Sequence, residues 1–443
     1  MRSPLTHPAR VVPAAFALAA VAGTLLLSLP SATSSGQRAD VLDAAFTSVS
    51  AVCVTGLVTV DTATYWSPFG QVVILSLVQV GGFGIMTLAT LLVVLVGARL
   101  NLSSSLVAQA ETRTLNVGDV RDVVRRVAVT MLAFEAGLAA LLTLRFRIGY
   151  DHDWLQALWH GVFHSVTAFN NAGFALYSDN LVGFAADAWI LLPICAGVII
   201  GGIGFPVLFE LRRRWRQPKL WSVHVRLTVY GSALLLVAGT VTFLAMEWSN
   251  PDTLGPDSPG SKLLGSLTGS VMPRTAGFNT VDYAAVTPET LMVTSLLMFI
   301  GGGSAGTAGG IKVATFFLLA FVIWTEVRGE RDTTIAHRRI GTSTMRQALT
   351  VALLGVALVA VGTLALLLAT DLTTDVVGFE AISAFATVGL STGITAGLPA
   401  SAKLTLMGLM FVGRVGTITV ASALALRTQH HHYRLPEERP IVG

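Results

Sequence analysis

The chain has 443 residues, of which 53% are hydrophobic and only 12% are charged, and its formal net charge is +4. Soluble domains carry roughly a quarter charged residues, so the composition excludes an ordinary soluble protein and indicates an integral membrane protein. Apolar stretches recur along the whole length, so any regulatory domain is expected on another chain. Cys53 and Cys195 have no second cysteine or histidine at metal-ligand spacing, which excludes a disulfide framework and a zinc site.

Hydropathy predicts eight membrane spans, the sixth of them broken. They lie near residues 11–30, 70–97, 124–146, 187–210, 222–246, 290–325, 347–369 and 403–426. The first stretch follows Arg2 and Arg10, as a cleaved signal peptide would. It is about long enough to cross a bilayer, so a membrane anchor is predicted instead.

Four shorter, half-polar stretches alternate with pairs of spans. They lie near residues 40–60, 154–180, 261–283 and 375–395. Each is too polar to cross a bilayer, and such backbone is tolerated at membrane depth only where protein or water satisfies it. Re-entrant segments are therefore predicted, in a unit of span, short helix, glycine turn and span that occurs four times. The predicted boundaries are 1–98, 99–216, 217–340 and 341–427, followed by a tail at 428–443.

The basic residues predict which loops face the cytoplasm. Two connections are strongly basic, through Arg212, Arg213, Arg214, Arg216, Lys219 and Arg226 in the first, and Arg328, Arg331, Arg338, Arg339 and Arg346 in the second. These connections, the one at 99–126 and both termini are predicted to be cytoplasmic. The opposite loops hold Asp40, Asp43, Asp61, Asp151, Asp153, Asp252, Asp257, Asp371 and Asp375. Either these acids concentrate cations at an outer vestibule or they only keep short loops soluble, and both interpretations stay open.

The four half-polar stretches share one spacing, in which a glycine follows a large apolar residue by ten positions. The pairs are Phe46 and Gly56, Phe163 and Gly173, Leu267 and Gly277, and Phe379 and Gly389. A second glycine cluster follows each of these glycines 24 to 28 residues later, at 81–84, 201–204, 301–303 and 413–416. Four matches at one spacing indicate an internal repeat. The clusters at 81–84 and 201–204 are interpreted as helix-packing glycines.

The repeated glycines predict a cation filter. A short helix that ends at mid-membrane directs its partly negative carbonyl end at the centre, and glycine allows the chain to turn back there. Four sets of inward carbonyls can replace the water shell of a potassium ion. The predicted filter residues, which bind K⁺ through backbone carbonyls alone, are Val54, Thr55, Gly56, Asn171, Ala172, Gly173, Thr275, Ala276, Gly277, Thr387, Val388 and Gly389. Asn170 and Asn171 either add side-chain oxygens to the filter or, as is expected, brace their loop by hydrogen bonds.

The sixth span contains a dense glycine run. Six of the ten residues 301–310 are glycine, and at about 1 kcal/mol each they predict a helix break. No Gly-Lys-Ser/Thr follows, so this is not a phosphate-binding loop. Arg414, at a corresponding depth in the last span, is a functional candidate as an intramembrane charge, or a hydrogen-bond partner for freed carbonyls. Lys312 is expected to bind carbonyls of the broken helix or to face the cytoplasm, and Arg274 needs an outer acid or pore-loop carbonyls as partners.

These motifs resemble the superfamily of Trk, Ktr and HKT potassium transporters. The resemblance rests on the four loops, residues 273–279, the glycine-rich interruption and the Gly413-Arg414 pair. Within the superfamily, the tail at 435–443 is most similar to that of the bacterial Ktr membrane subunits. It implies an all-α membrane protein with four pseudo-fourfold repeats around one pore. It also implies a homodimer, potassium uptake coupled to or stimulated by sodium, and a cytoplasmic, RCK-type nucleotide-binding ring as partner. The implied gate comprises Gly302, Gly303, Ser304, Gly306, Thr307, Gly309, Gly310 and Arg414.

Some features depart from this pattern or favour other functions. Each loop keeps only the central glycine of the potassium-channel signature T-V-G-Y-G, with 387–391 nearest to it, so weak selectivity against sodium is hypothesised. An enzyme is not expected, because His160 and His164 form no H-E-x-x-H pattern. An inverted-repeat transporter is disfavoured because all four units have one predicted orientation. No organic cofactor and no nucleic-acid partner are expected, whereas contact with membrane lipid is. The three histidines of the tail, His430, His431 and His432, have no assigned role.

Overall fold

The protein is described by a computed structural model covering residues 8–104, 117–330 and 332–416. The described part is mostly helical, which agrees with the predicted all-α membrane class. Its helices are α1 (Pro8–Leu27), α2 (Val41–Val52), α3 (Pro68–Ser104), α4 (Val117–Gly149), α5 (Trp154–Phe169), α6 (Ala188–Ile203), α7 (Phe205–Arg214), α8 (Val223–Glu247), α9 (Pro259–Val271), α10 (Pro288–Phe299), α11 (Val313–Val327), α12 (Thr342–Ala369), α13 (Thr374–Phe385) and α14 (Ala400–Phe411). A π-helical turn, Val412–Gly416, follows α14.

Among the described residues, four helices are individually long and apolar enough to cross a membrane. They are Pro68–Leu88 of α3, Arg121–Gly149 of α4, α8 and α12. The pair of α6 and α7 would make a fifth. The other predicted spans correspond to shorter helices, and residues 417–426 of the last one lie outside the described residues. The count of eight spans and the repeat boundaries therefore stay predictions, as does the tail at 428–443.

Two predicted spans are interrupted by glycine. The fourth, expected to be continuous over 187–210, instead bends by 99° between α6 and α7 at Gly204, whose φ is +97°. The sixth breaks as expected: α10 ends at Phe299 and α11 begins at Val313, and residues 300–312 between them form what we call the intramembrane loop. The connection after α11, which is predicted to be cytoplasmic, forms an unpredicted hairpin of β1 (Thr334–Ile335) and β2 (Arg338–Arg339).

The four half-polar stretches begin with short helices α2, α5, α9 and α13, of 12 to 16 residues. At about 1.5 Å per residue, none can cross a hydrocarbon core of roughly 30 Å. Side-chain N-caps start three of them: Asp40 accepts from the Leu42 amide, Asp153 from Gln156 and Ser258 from Ser261. The aromatic residues that set the ten-residue spacing, Phe46, Phe163 and Phe379, are buried on these helices and anchor them.

A serine on three of the short helices donates to the backbone of the preceding long helix. The bonds are Ser48 Oγ to Ala20 O at 2.7 Å, Ser165 Oγ to Glu135 O at 2.5 Å and Ser270 Oγ to Leu236 O at 2.8 Å. In a membrane, lipid is as apolar as the side chains, so hydrophobic burial does not drive helices together and hydrogen bonds of this kind help to join them. They hold each short helix against its own long neighbour.

Glycines of the later clusters let another helix approach the ends of the short helices. A Cβ added to Gly81, Gly201 or Gly413 would overlap the carbonyl oxygen of Val52, Phe169 or Phe385, respectively. Each of those carbonyls lies four residues before a repeated glycine. Gly81 and Gly201 are therefore packing glycines, as interpreted from the sequence.

This packing predicts opposite effects for two neighbouring substitutions in α3. Gly81→Ala should destabilise the protein by about 1–3 kcal/mol, because the new methyl group overlaps the Val52 carbonyl. Gly84→Ala is the matched control, since its Cβ would meet only Phe16 at 3.9 Å and alanine favours the helix. Thermal unfolding in detergent measures both, and equal midpoints for the two variants would contradict the assigned contact.

Candidate functional site

The four repeated glycines meet in a closed ring at the centre of the molecule. A Cβ added to any one of them would collide with the carbonyl oxygen that precedes the next glycine. The contacts are Gly56 with Ala172, Gly173 with Ala276, Gly277 with Val388 and Gly389 with Thr55. The loops therefore follow one another in chain order, and the last adjoins the first.

The backbone of each loop alternates between left- and right-handed conformations. The glycines have φ values of +92°, +66°, +72° and +95°, in chain order. The residues two positions earlier, Val54, Asn171, Thr275 and Thr387, also have positive φ, from +50° to +75°. In such alternating backbone, successive N–H groups lie on one side of the chain and successive carbonyls on the other.

The N–H groups of these loops face outward, towards the short helices. Amides of the residues before three glycines donate at 2.8 Å: Thr55 to Ser50 O, Ala172 to Thr167 O and Val388 to Ser383 O. The Gly56 and Gly389 amides donate to the Ser50 and Ser383 hydroxyls at 3.1 Å. Since the amides are turned outward, the carbonyls are left to face the ring interior.

The third loop has a different hydrogen-bond register. The Ala276 amide donates to Met272 O at 2.9 Å, four residues back instead of five, and the Gly277 amide reaches the same oxygen at 3.4 Å. All twelve predicted filter residues thus lie in the ring or its walls, but the four walls are not equivalent.

A cavity of about 590 Å³, which we call the outer cavity after its predicted side of the membrane, opens onto the ring and is lined by all four glycines. Three acids line it: Asp61, Asp179 and Asp282. Of the nine aspartates considered for an acidic vestibule, only Asp61 is among these lining residues. Others have structural roles: Asp40 and Asp153 cap helices, and Asp43 lies 3.5 Å from Lys403. Sequence reasoning missed Asp179 and Asp282 because it assigned both to the re-entrant stretches.

Asp61 is held in its charged form at the mouth of this cavity. Partial burial alone would raise its pKa, but hydrogen bonds from Ser178, Thr64 and the backbone amides of Ala63 and Thr64 outweigh it and lower the pKa below its ordinary value. The mouth therefore keeps this negative charge at neutral pH.

On the other side of the ring, the intramembrane loop contacts three of the four walls. Thr307 Oγ1 donates to Asn171 Oδ1 at 2.9 Å and to Phe169 O at 3.2 Å. The Gly309 amide donates to Thr275 Oγ1 at 3.2 Å, and a Cβ on Gly309 would overlap Thr387. The loop consequently lies directly against the ring.

The remaining predicted gate residues shape this loop or hold it against the bend at Gly204. The Gly303 amide donates to Gly202 O at 2.8 Å, and Gly302 O accepts from the Val313 amide at 3.0 Å. A Cβ added to Gly306 would lie 2.7 Å from Gly202 O, and one added to Gly204 would overlap the Ser304 carbonyl oxygen. Gly310 turns the chain with a φ of +64°.

Three basic side chains surround the loop and bind backbone carbonyls. Arg414 Nη1 donates to Thr307 O, while its Nε and Nη2 have no acceptor among the described residues. Lys312 Nζ donates to the Ala308 and Gly309 carbonyls, the first of its two expected roles. Arg274 binds Ser232 and, at 3.4 Å, Gly301 O, so its partner is neither an outer acid nor a filter-loop carbonyl.

Asn170 braces the second wall as expected, through partners that sequence reasoning did not single out. Its Nδ2 donates to Gln79 Oε1 and Glu135 Oε1, both at 3.0 Å. The only sequence signal for Glu135 was a carboxylate within an apolar span. His160 and His164 bind Tyr177 and backbone groups of their own segment, and no group of three metal-ligating side chains occurs among the described residues.

The fold and the ring define a protein with apolar helices of membrane-spanning length, in which four short helices bring their glycine loops together at one centre. The family model described as "Cation transport protein", TrkH, matches residues 7–431, so the chain belongs to the TrkH family. This is a family of transporters, not of enzymes.

Named relatives are similar over nearly the full length. The chain is 37% identical to "Ktr system potassium uptake protein B" of Bacillus subtilis, covering 98% of this chain and 97% of the relative. It is 31% identical to "Potassium/sodium uptake protein NtpJ" of Enterococcus hirae, covering 98% and 97%. The crystal structure of the potassium transporter TrkH from Vibrio parahaemolyticus has the same fold, with a TM-score of 0.73 at 19% identity, covering 95% and 85%.

The contacts of Thr307 predict that its hydroxyl holds the intramembrane loop in place. Thr307→Val keeps the shape but removes two hydrogen bonds, each worth about 1 kcal/mol, so amide hydrogen exchange across 301–310 should accelerate. Ser304→Ala is the control in the same loop, because the Ser304 hydroxyl makes no hydrogen bond within the described residues. Unchanged exchange in Thr307→Val would rule out this anchoring role.

Proposed function

We propose that this chain is the ion-conducting subunit of a Ktr-type potassium uptake system. One observation carries the proposal: four glycine loops close into a ring whose amides bind the short helices and whose carbonyls face inward. Carbonyl oxygens in that arrangement replace the hydration shell of a monovalent cation. The names of the most similar relatives indicate potassium as the transported ion.

The cation enters from the outer cavity, where the charged Asp61 attracts it. In the ring, backbone carbonyls of the residues that precede the four glycines replace the water molecules around the cation. The four short helices direct their carbonyl ends at this point, which adds negative potential. Because the walls differ in sequence and register, we expect weaker discrimination against sodium than in a filter with four equal walls.

The intramembrane loop and Arg414 form the gate of the proposed pathway. The loop contacts three walls of the ring, and the buried guanidinium holds the loop through Thr307 O. A fixed positive charge on the route of a cation is an electrostatic barrier, particularly at low dielectric. Conduction then requires the loop and Arg414 to move together away from the ring.

The assembly around this pore is proposed from the resemblance and the relatives' names. A cytoplasmic RCK-type ring would control the gate, two chains would form a homodimer with one pore each, and sodium would stimulate uptake. The name of the Enterococcus relative, which pairs potassium with sodium, supports the last point. Recurring serine and glycine contacts support the fourfold repeat, and the basic connections support cytoplasmic termini in a bacterial membrane.

The proposal is tested by rubidium uptake into proteoliposomes under an inside-negative potential, with and without sodium and a candidate cytoplasmic ring. Uptake that potassium inhibits would support it. No uptake under any of these conditions would overturn it.

Replacing a ring glycine should change ion selectivity. Gly389→Ser places a Cβ against Thr55 O at a φ of +95°, so the ring must distort and the preference for rubidium over sodium should fall by about tenfold or more. Gly397→Ser is the control, because its Cβ meets nothing within 4 Å. Competition by sodium against labelled rubidium measures the preference, and equal values in both variants would contradict the ring as filter.

Removing the barrier should increase transport. Arg414→Ala eliminates the positive charge and the bond to Thr307, so rubidium uptake without the ring partner should rise several-fold. Arg346→Ala is the control, since Arg346 is an exposed base near the start of α12. If Arg414→Ala is folded and its uptake matches that of the control, Arg414 is not the barrier.

A further inference from the structure

A buried carboxylate lies behind the second wall of the ring. Glu135, within the long apolar helix α4, is only 5% exposed. Its Oε2 accepts from Gln79 Nε2 and its Oε1 from Asn170 Nδ2, each at 3.0 Å. Ionisable side chains at membrane depth are costly and mark functional positions.

Glu135, Gln79 and Asn170 form a closed triangle, because Asn170 Nδ2 also donates to Gln79 Oε1 at 3.0 Å. The triangle joins α3 and α4 to the end of α5. Gly82 makes room for it, since a Cβ there would overlap Asn170 Oδ1. Asn170 directly precedes the left-handed Asn171 and lies three residues before Gly173, so the triangle supports the wall where its carbonyls turn inward.

No basic side chain neutralises Glu135 within the described residues. The ion pairs there are Arg145–Asp187, Arg328–Glu330, Arg339–Asp332 and Lys403–Asp43. The intramembrane bases Arg274, Lys312 and Arg414 bind backbone carbonyls or Ser232 instead. The other buried acid near the ring, Glu380, accepts from Thr395 on the outer side of the fourth loop.

We propose that Glu135 is a positioning residue whose negative charge increases the affinity of the ring for its cation. The inference rests on the proposed function, because the dehydrated cation in the ring is the counter-charge that Glu135 otherwise lacks. A carboxylate in a low-dielectric interior acts over several ångströms, and the triangle holds it and the wall in one geometry. The positions that correspond to Asn170 in the other three loops are Cys53, Arg274 and Ala386. Support by an asparagine and a carboxylate is therefore particular to the second wall.

The experiment measures the rubidium concentration that gives half-maximal uptake in proteoliposomes containing the full chain. Glu135→Gln keeps the side-chain shape but removes the charge, so that concentration should rise about tenfold while maximal uptake stays within about twofold. Glu247→Gln is the matched control, because it removes the charge of another buried carboxylate, at the end of α8, whose partners Thr253 and Thr287 lie outside the filter loops. Its half-saturating concentration should match that of the unmodified chain.

An exchanged variant separates charge from packing. Glu135→Gln combined with Gln79→Glu returns one carboxylate to the triangle from α3, so affinity should recover to within about threefold of the unmodified chain. If the unmodified chain transports rubidium and Glu135→Gln has the same half-saturating concentration, the inference is wrong and the proposed function stands. If Glu135→Gln does not fold, the exchanged variant provides the test. If that variant folds but its affinity for rubidium is weak, the inference is wrong. Absence of uptake by the unmodified chain overturns both.

Discussion

Polar backbone at membrane depth must find partners, and the structure depends on how four short helices meet this requirement. Each helix ends before a repeated glycine, and its last turn accepts the amides of the loop that follows. With the amides bound on one side, the carbonyls are available only on the other. The same bonds that make a re-entrant loop tolerable in lipid thus produce a line of oxygens facing the centre.

The four walls of the ring are built alike but supported differently. Asn170 in the second wall contacts a carboxylate, whereas Arg274 in the third contacts Ser232 and the broken sixth span. The third wall also has its own register. These differences place a carboxylate and the intramembrane loop at particular walls, so a cation bound in the ring as proposed would experience an uneven field.

Glycines at one spacing after an apolar anchor reflect a local geometric need, visible in the positive φ of Gly56 and Gly389 alike, so their shared conformation could be read from the sequence. Their role as a filter stays a prediction. The break at 300–312 was predicted for a different reason, since a dense run of glycines does not persist as helix. The bend at Gly204 was missed, although Gly201, Gly202 and Pro206 were available as signals. The triangle around Glu135 could not be predicted, since its partners lie 56 and 35 residues away and no periodic pattern encodes such pairs.

Closure of the ring in chain order bears on how the protein is made. Gly389 of the fourth loop contacts Thr55 of the first. The first loop therefore lacks this neighbour until residue 389 has been synthesised. A nascent or prematurely terminated chain that lacks residue 389 therefore has no closed ring. If the ring conducts ions as proposed, its passage exists only after the fourth wall has been synthesised.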